Sequence, residues 1–216
     1  MYNQCLITPT ILDSYEFAAN APHNWKVKAE TGFLAKLRRE KVDYPKWVDK
    51  GLAFEDTIYR VCNAHRNDEP VTQGSEYFRR ACNECLGGVF QSKLSKAVTI
   101  DGQKVFLFGY SDVIHYPEGL IIDIKTTLKY KGPEKYLNGH QHLIYPYVTG
   151  LPNFKYLIAQ WQDEYSDTIQ AVHSVPYRVD DFEKLEKTLT EKVTNFFNYL
   201  RENNLWLDYY TIFSKN

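Results

Sequence analysis

Residues 109–125 read Gly109-Tyr110-Ser111-Asp112-Val113-Ile114-His115-Tyr116-Pro117-Glu118-Gly119-Leu120-Ile121-Ile122-Asp123-Ile124-Lys125. Leu120 to Ile124 is apolar except for Asp123, which marks a strand buried on both faces. A charged pair in such a strand is costly unless a metal or partner compensates it. Asp123 and Lys125 stand two residues apart and so project from one face. If Tyr116 to Gly119 form the loop, His115 faces Leu120, and the antiparallel register sets Asp112 opposite Asp123. Opposed side chains have Cβ atoms ~4.5–5.5 Å apart, close enough for two carboxylates to share one Mg²⁺. A loop of odd length would send the two acids to opposite faces.

The flanking sequence extends this pair into a domain. Val89 to Ile100 and Lys104 to His115 are rich in β-branched and aromatic residues and turn at Asp101-Gly102, so they join Leu120 to Thr127 in a three-stranded meander. The preceding half reads as helical. Thr8-Pro9-Thr10 resembles a capped start, Asp43-Tyr44-Pro45 precedes a periodic stretch through Trp47, Leu52, Phe54, Ile58 and Val61, and a third helix runs from about Ser75 to Leu86, ended by Gly87-Gly88. After the meander come a helix from about Gly139 to Thr149, strands Phe154 to Gln162 and Thr168 to Pro176, and an amphipathic helix from about Val179 to Asn203. Phe182, Leu185, Leu189, Val193, Phe196, Phe197 and Leu200 form its core side. The order implies an α/β (α+β) fold with a central mixed β-sheet flanked by helices. At 216 residues, without repeats, the chain is expected to be a single domain over 1–216.

Two carboxylates and a lysine suit phosphodiester hydrolysis: a metal activates water and neutralises the phosphate, and an ammonium stabilises the transition state. Asp-x-Lys by itself is weak, since roughly one such triplet arises by chance in a chain this long. Its neighbours carry the weight. Thr8 to Tyr15 forms an opening helix, Gly51-Leu52-Ala53-Phe54-Glu55 fits G-x-x-x-(H/E), Gly109 to Asp112 fits G-x-x-D, and Gln141-His142-Leu143-Ile144-Tyr145 fits Q-x-x-x-Y. In this order and spacing, from about Thr8 to Pro176, the chain resembles the PD-(D/E)XK nuclease superfamily, in the branch of the RecB nuclease domain, lambda exonuclease and the CRISPR-adaptation nucleases.

The resemblance implies a restriction-endonuclease-like core and a metal-dependent DNA exonuclease acting in recombination or end processing. Asp112 and Asp123 would bind Mg²⁺ or Mn²⁺ with the backbone carbonyl of Ile124, and Glu55 would approach directly or through water. Lys125 would act on the attacking water. Gln141 and Tyr145, one turn apart, would position Lys125 or a phosphate. Glu55 stands where many relatives have histidine, and no cysteine follows Cys85, so the iron–sulfur cluster of some members is not carried over. A structure-specific endonuclease, or a nuclease-like fold kept as a binding or assembly module, are the alternatives. The module has no physical need for so costly an arrangement of charge.

Composition bounds the rest. A formal net charge of −1 gives no global signal for nucleic acid. Lys26 to Lys50, however, carries eight basic residues against four acidic ones, Arg38 and Arg39 among them, and Lys129, Lys131 and Lys135 follow Lys125. Arg38, Arg39, Lys129 and Lys131 are therefore the candidate DNA contacts. His140 and His142 are expected to lie near a DNA backbone or to be exposed, and Trp206, Tyr209 and Tyr210 to pack core and tail. The four cysteines read as reduced, buried thiols rather than a zinc site. No apolar run approaches the ~20 residues of a membrane span, and no signal peptide is seen, so a cytoplasmic protein is expected. DNA is the expected partner; a second copy of the chain or a recombination partner protein is left open, and a membrane is not expected.

Overall fold

A computed structural model describes residues 4–41, 46–65 and 69–215. Strand β1 (Gln4–Ile7) leads into α1 (Pro9–Asn20), a 3-10 turn at His23–Trp25, α2 (Lys26–Leu37), α3 (Lys46–Ala64) and α4 (Glu76–Cys85). The meander follows as β2 (Val89–Ile100), β3 (Gln103–His115) and β4 (Leu120–Thr127). Then come α5 (Glu134–Leu137), α6 (Gln141–Thr149), β5 (Asn153–Trp161), β6 (Ile169–Arg178), α7 (Phe182–Glu202), α8 (Trp206–Phe213) and β7 (Ser214–Lys215).

Local signals explain most boundaries. Thr8 caps α1, accepting from the Ile11 N–H at 3.3 Å with Pro9 in the first turn, and Ser75 and Asp181 cap α4 and α7 in the same way. Asp101 and Gly102 have φ of +49° and +71° and join Ile100 to Gln103 in a two-residue hairpin, which needs left-handed backbone at both positions. The capping stretch Asp43-Tyr44-Pro45 lies outside the described residues. Leu52, expected on the apolar face of α3, is exposed, while Phe54 and Ile58 are buried.

One mixed sheet runs through the chain in the order β6-β5-β4-β3-β1-β7, with β2 on the other edge of β3. β3 pairs in parallel with β1 over Val105 to Leu107 and antiparallel with β4 over Val113 to His115. One core fills the face covered by α1, α2, α6, α7 and α8, centred on Phe33, Phe196, Phe197 and Tyr209; a second lies under α3 and α4, around Phe54, Ile58, Cys82 and Leu157. Cys62, Cys82 and Cys85 are buried thiols of that second core, and Cys5 belongs to the first. Among the described residues no three His, Cys, Asp or Glu side chains converge to hold a metal ion, and no helix is long and apolar enough to cross a membrane.

Between these segments β3 rolls over. Val105 and Leu107 belong to the first core and Val113 to the second, although a regular strand would put all three on one face. The ladder with β2 pairs Phe90 with Val113 and Ser92 with Ser111 but skips Gln91 and Asp112, where Gln91 takes φ +50°.

The C-terminal helix α8 is tied to the sheet by Tyr209, whose buried hydroxyl donates to the Leu6 carbonyl at 2.8 Å. Tyr209→Phe leaves that carbonyl without its partner in the core. It should cost about 1–3 kcal/mol, read as a lower urea midpoint at unchanged m-value.

Candidate active site

The chain builds its acidic cleft where β3 and β4 part. The predicted register holds, with His115 opposite Leu120, but the paired ladder ends at Val113 and Ile122. One step further, the Asp112 carboxylate accepts the Ile124 N–H at 2.6 Å. A strand residue turns its N–H and C=O to the same edge, so the Ile124 carbonyl lies on the Asp112 side. Asp123 is buried, and its Oδ2 is ion-paired with Lys125 Nζ while its Oδ1 accepts from the Gln141 side-chain amide.

Helices enter from both faces of the sheet. From α6, Gln141 also reaches Tyr145 Oη at 3.4 Å. The Tyr145 ring crosses β3 at Gly109, where a Cβ would meet Cε1 at 2.5 Å; only glycine lets the ring pass. From the other face α3 approaches β4 at Gly51, where a Cβ would meet Thr126 Oγ1 at 2.9 Å, and one turn later it presents Glu55. Both glycines of the short motifs are thus sites of close approach. The Glu55 charge helps to raise both the Asp112 and the Asp123 carboxyls, and its Oε1 accepts from the Gln91 amide at 2.6 Å.

Burial raises the Asp112 carboxyl well above the usual carboxylate range, and the charge of Asp123 adds to the shift. Asp123 is raised by burial too, against the pull of Lys125. Burial would lower Lys125, but Asp123 and Asp112 outweigh it and keep the ammonium charged. With all groups ionised, Asp112 and Asp123 share one ammonium, that of Lys125, and the charge of Glu55 acts on both from α3. Hard oxygen donors with excess negative charge suit a small divalent cation, which one or two carboxylates commonly hold with water completing the shell.

His140 and His142 are buried, contrary to expectation. Asp13 on α1 accepts from both the His140 backbone N–H, at 2.9 Å, and its Nδ1, at 2.6 Å, which anchors the start of α6 beside Gln141. Burial disfavours a charged His140 ring, but Asp13 and Glu16 outweigh it and raise its pKa. His142 packs edge-on against Tyr177, and burial pushes it down to about 4. Asp13 and Gln91 are the contributors that sequence reasoning missed: Asp13 sits within the opening helix with no mark of its role, and Gln91 is one polar residue in an alternating strand.

The candidate DNA contacts separate into two groups. Arg38 pairs with Asp208 at 3.0 Å and Arg39 lies over the Phe213 ring, so both have partners at the C-terminal helix rather than at the cleft. Lys129 and Lys131, with Lys50 and Lys135, rim a cavity of about 290 Å³ that continues β4 past Thr126 and Thr127.

Fold and site together define an α+β chain with an Asp–Asp–Lys cleft cut into the broken ladder of a mixed sheet. The chain is similar to the crystal structure of SSO0001, at 12% identity over 90% of this chain and 78% of that one, with a TM-score of 0.50, which shows a shared fold. It is also similar to a phage-related exonuclease from Haemophilus somnus 129PT, at 11% identity over 94% and 97% of the two chains (TM-score 0.48). LHK-Exo in complex with dAMP is similar at 14% identity over 93% and 94% (TM-score 0.44). No protein-family model matches the sequence, and no curated protein matches it.

The raised Asp112 has a consequence for stability. The folded state keeps this proton to higher pH than the unfolded chain, whose Asp titrates near ~4, so ionisation costs stability as pH rises from there through the folded value. Asp112→Asn removes that cost and keeps an oxygen for the Ile124 N–H. In chelator, the variant should therefore be more stable to urea than the wild type at pH 7, with the gap closing toward pH ~4. A wild type more stable at both pH values would contradict the assignment.

Proposed function

We propose that this chain is a metal-dependent nuclease that hydrolyses phosphodiester bonds in DNA, working as an exonuclease in recombination or end processing. The observation that carries the reading is the convergence of Asp112, Asp123 and Lys125 at the break in the ladder, where each charge is costly to bury.

A bound Mg²⁺ or Mn²⁺ would supply Lewis acidity and an activated water. Asp112, Asp123 and the Ile124 carbonyl are the groups that would hold it, with Glu55 reaching it directly or through water. Lys125 stays protonated at Nζ and, fixed by Asp123, is a preorganised cation for the charge that develops on the phosphate. Gln141 locks the free oxygen of Asp123 and so fixes the carboxylate that Lys125 leans on. Tyr145, raised by burial, keeps its hydroxyl proton and remains a donor at the cleft wall. Lys129 and Lys131 extend the positive surface along the path that leaves β4, where a phosphate backbone can follow.

End-labelled linear DNA should be degraded with Mg²⁺ or Mn²⁺ and left whole in chelator, while closed circles persist; cutting of circles would instead identify an endonuclease. Asp123→Ala should abolish both Mn²⁺ binding, measured by calorimetry, and cleavage. Lys125→Ala should keep Mn²⁺ binding and lose about 10²–10³ in rate, so a variant that cleaves at the wild-type rate would remove the main support of the proposal.

A separate outcome is expected for the basic rim. Replacing Lys129 and Lys131 by Ala should flatten the log–log salt dependence of DNA binding by about one to two units. An unchanged slope would return both lysines to ordinary solvated surface.

A further inference from the structure

Gln91 lies in β2, directly across the ladder from Asp112, with φ +50°. Left-handed backbone is uncommon for a non-glycine residue and rarer still within a strand. Such strain persists only where the surroundings over-determine it, and it collects at functional sites. Here its effect is visible: the pairs on either side, Phe90 with Val113 and Ser92 with Ser111, are made, and the pair between them is not. The strand also exchanges faces at this point, since Phe90 packs toward the core under α3 and α4 while Leu94, four residues on, belongs to the opposite core. The rolled backbone brings the exposed Gln91 amide across to α3, where it donates to Glu55 Oε1 at 2.6 Å.

Glu55 needs such a restraint. It is a half-exposed side chain on a helix, near enough to Asp112 and Asp123 for its charge to act on both, so repulsion favours rotamers that swing it into water. The Gln91 amide occupies one oxygen of Glu55, on the side chain whose charge acts on Asp112 and Asp123.

We propose that Gln91 is a positioning residue that holds the Glu55 carboxylate at the cleft, for the metal and the phosphate, by means of a strained strand backbone. This rests on the nuclease reading above. Its signature is coupling: Gln91 acts only through Glu55, so its loss matters only while Glu55 is present.

Mn²⁺ calorimetry and cleavage of end-labelled linear DNA on the wild type, Gln91→Ala, Glu55→Ala and the double variant test this. Gln91→Ala should weaken Mn²⁺ binding about tenfold, the scale of one hydrogen bond to a charged group, and lower turnover with it. In the Glu55→Ala background the same change should have no further effect on either readout. Gln91→Gly tolerates φ +50° without strain, so it should melt no lower than the wild type yet match Gln91→Ala in Mn²⁺ affinity and turnover. Wild-type affinity and cleavage in Gln91→Ala, or an equal loss with and without Glu55, would overturn the proposal. A wild type that neither binds Mn²⁺ nor cleaves would instead bring down the nuclease reading, and this inference with it.

Discussion

One hydrogen bond, from the Ile124 N–H to the Asp112 carboxylate, lets the sheet stay closed where its ladder does not. Beyond Val113 and Ile122 the strands part, and a buried N–H left without an acceptor would be costly. Asp112 satisfies it with a side chain in place of backbone. The parting leaves a stretch of β3 between its pairing with β1 and its pairing with β4. Gly109 lies in that stretch, and the Tyr145 ring of α6 fills the space above it. A gap that would be a defect in a plain sheet becomes the place where Asp112, Asp123 and Lys125 gather.

The position of the cleft follows from the two cores. α6 presses on one face of the sheet with Gln141 and Tyr145, and α3 on the other with Glu55, so groups from both layers act on the acids at the break. The start of α6 is anchored on α1, because Asp13 binds the His140 backbone and ring together, and α1 is packed through Tyr15 against Phe196 and Tyr199 of α7. The aromatic core therefore fixes, through α1, the helix that carries Gln141. Two basic residues of the N-terminal half serve the same scaffold: Lys26 closes the carbonyls of Ala18 and Ala19 at the end of α1, and Lys50 lies over the Trp161 ring and bonds to the Ser166 carbonyl.

Much of this was legible in residue order alone, because the deciding signals are local. The alternation of β2 and β3, the apolar run of β4, the Asp101-Gly102 turn and the even loop at Tyr116 to Gly119 fix strands, hairpin and register, and these put Asp112 beside Asp123 and Lys125 on the face of Asp123. The core side of α7 follows from its helical period and is buried as read, with Phe182 at its edge. Tertiary structure alone decided the rest, since each remaining feature joins residues far apart in sequence. β1 is short, and its partners, β3 and β7, lie a hundred and more residues away. The buried state of His140 depends on Asp13, the partners of Arg38 and Arg39 come from the C-terminal helix, and the φ of Gln91 is imposed by a ladder that rolls between two cores. Local propensity sets period and turn; which face a charge meets, and what answers it there, is set by packing.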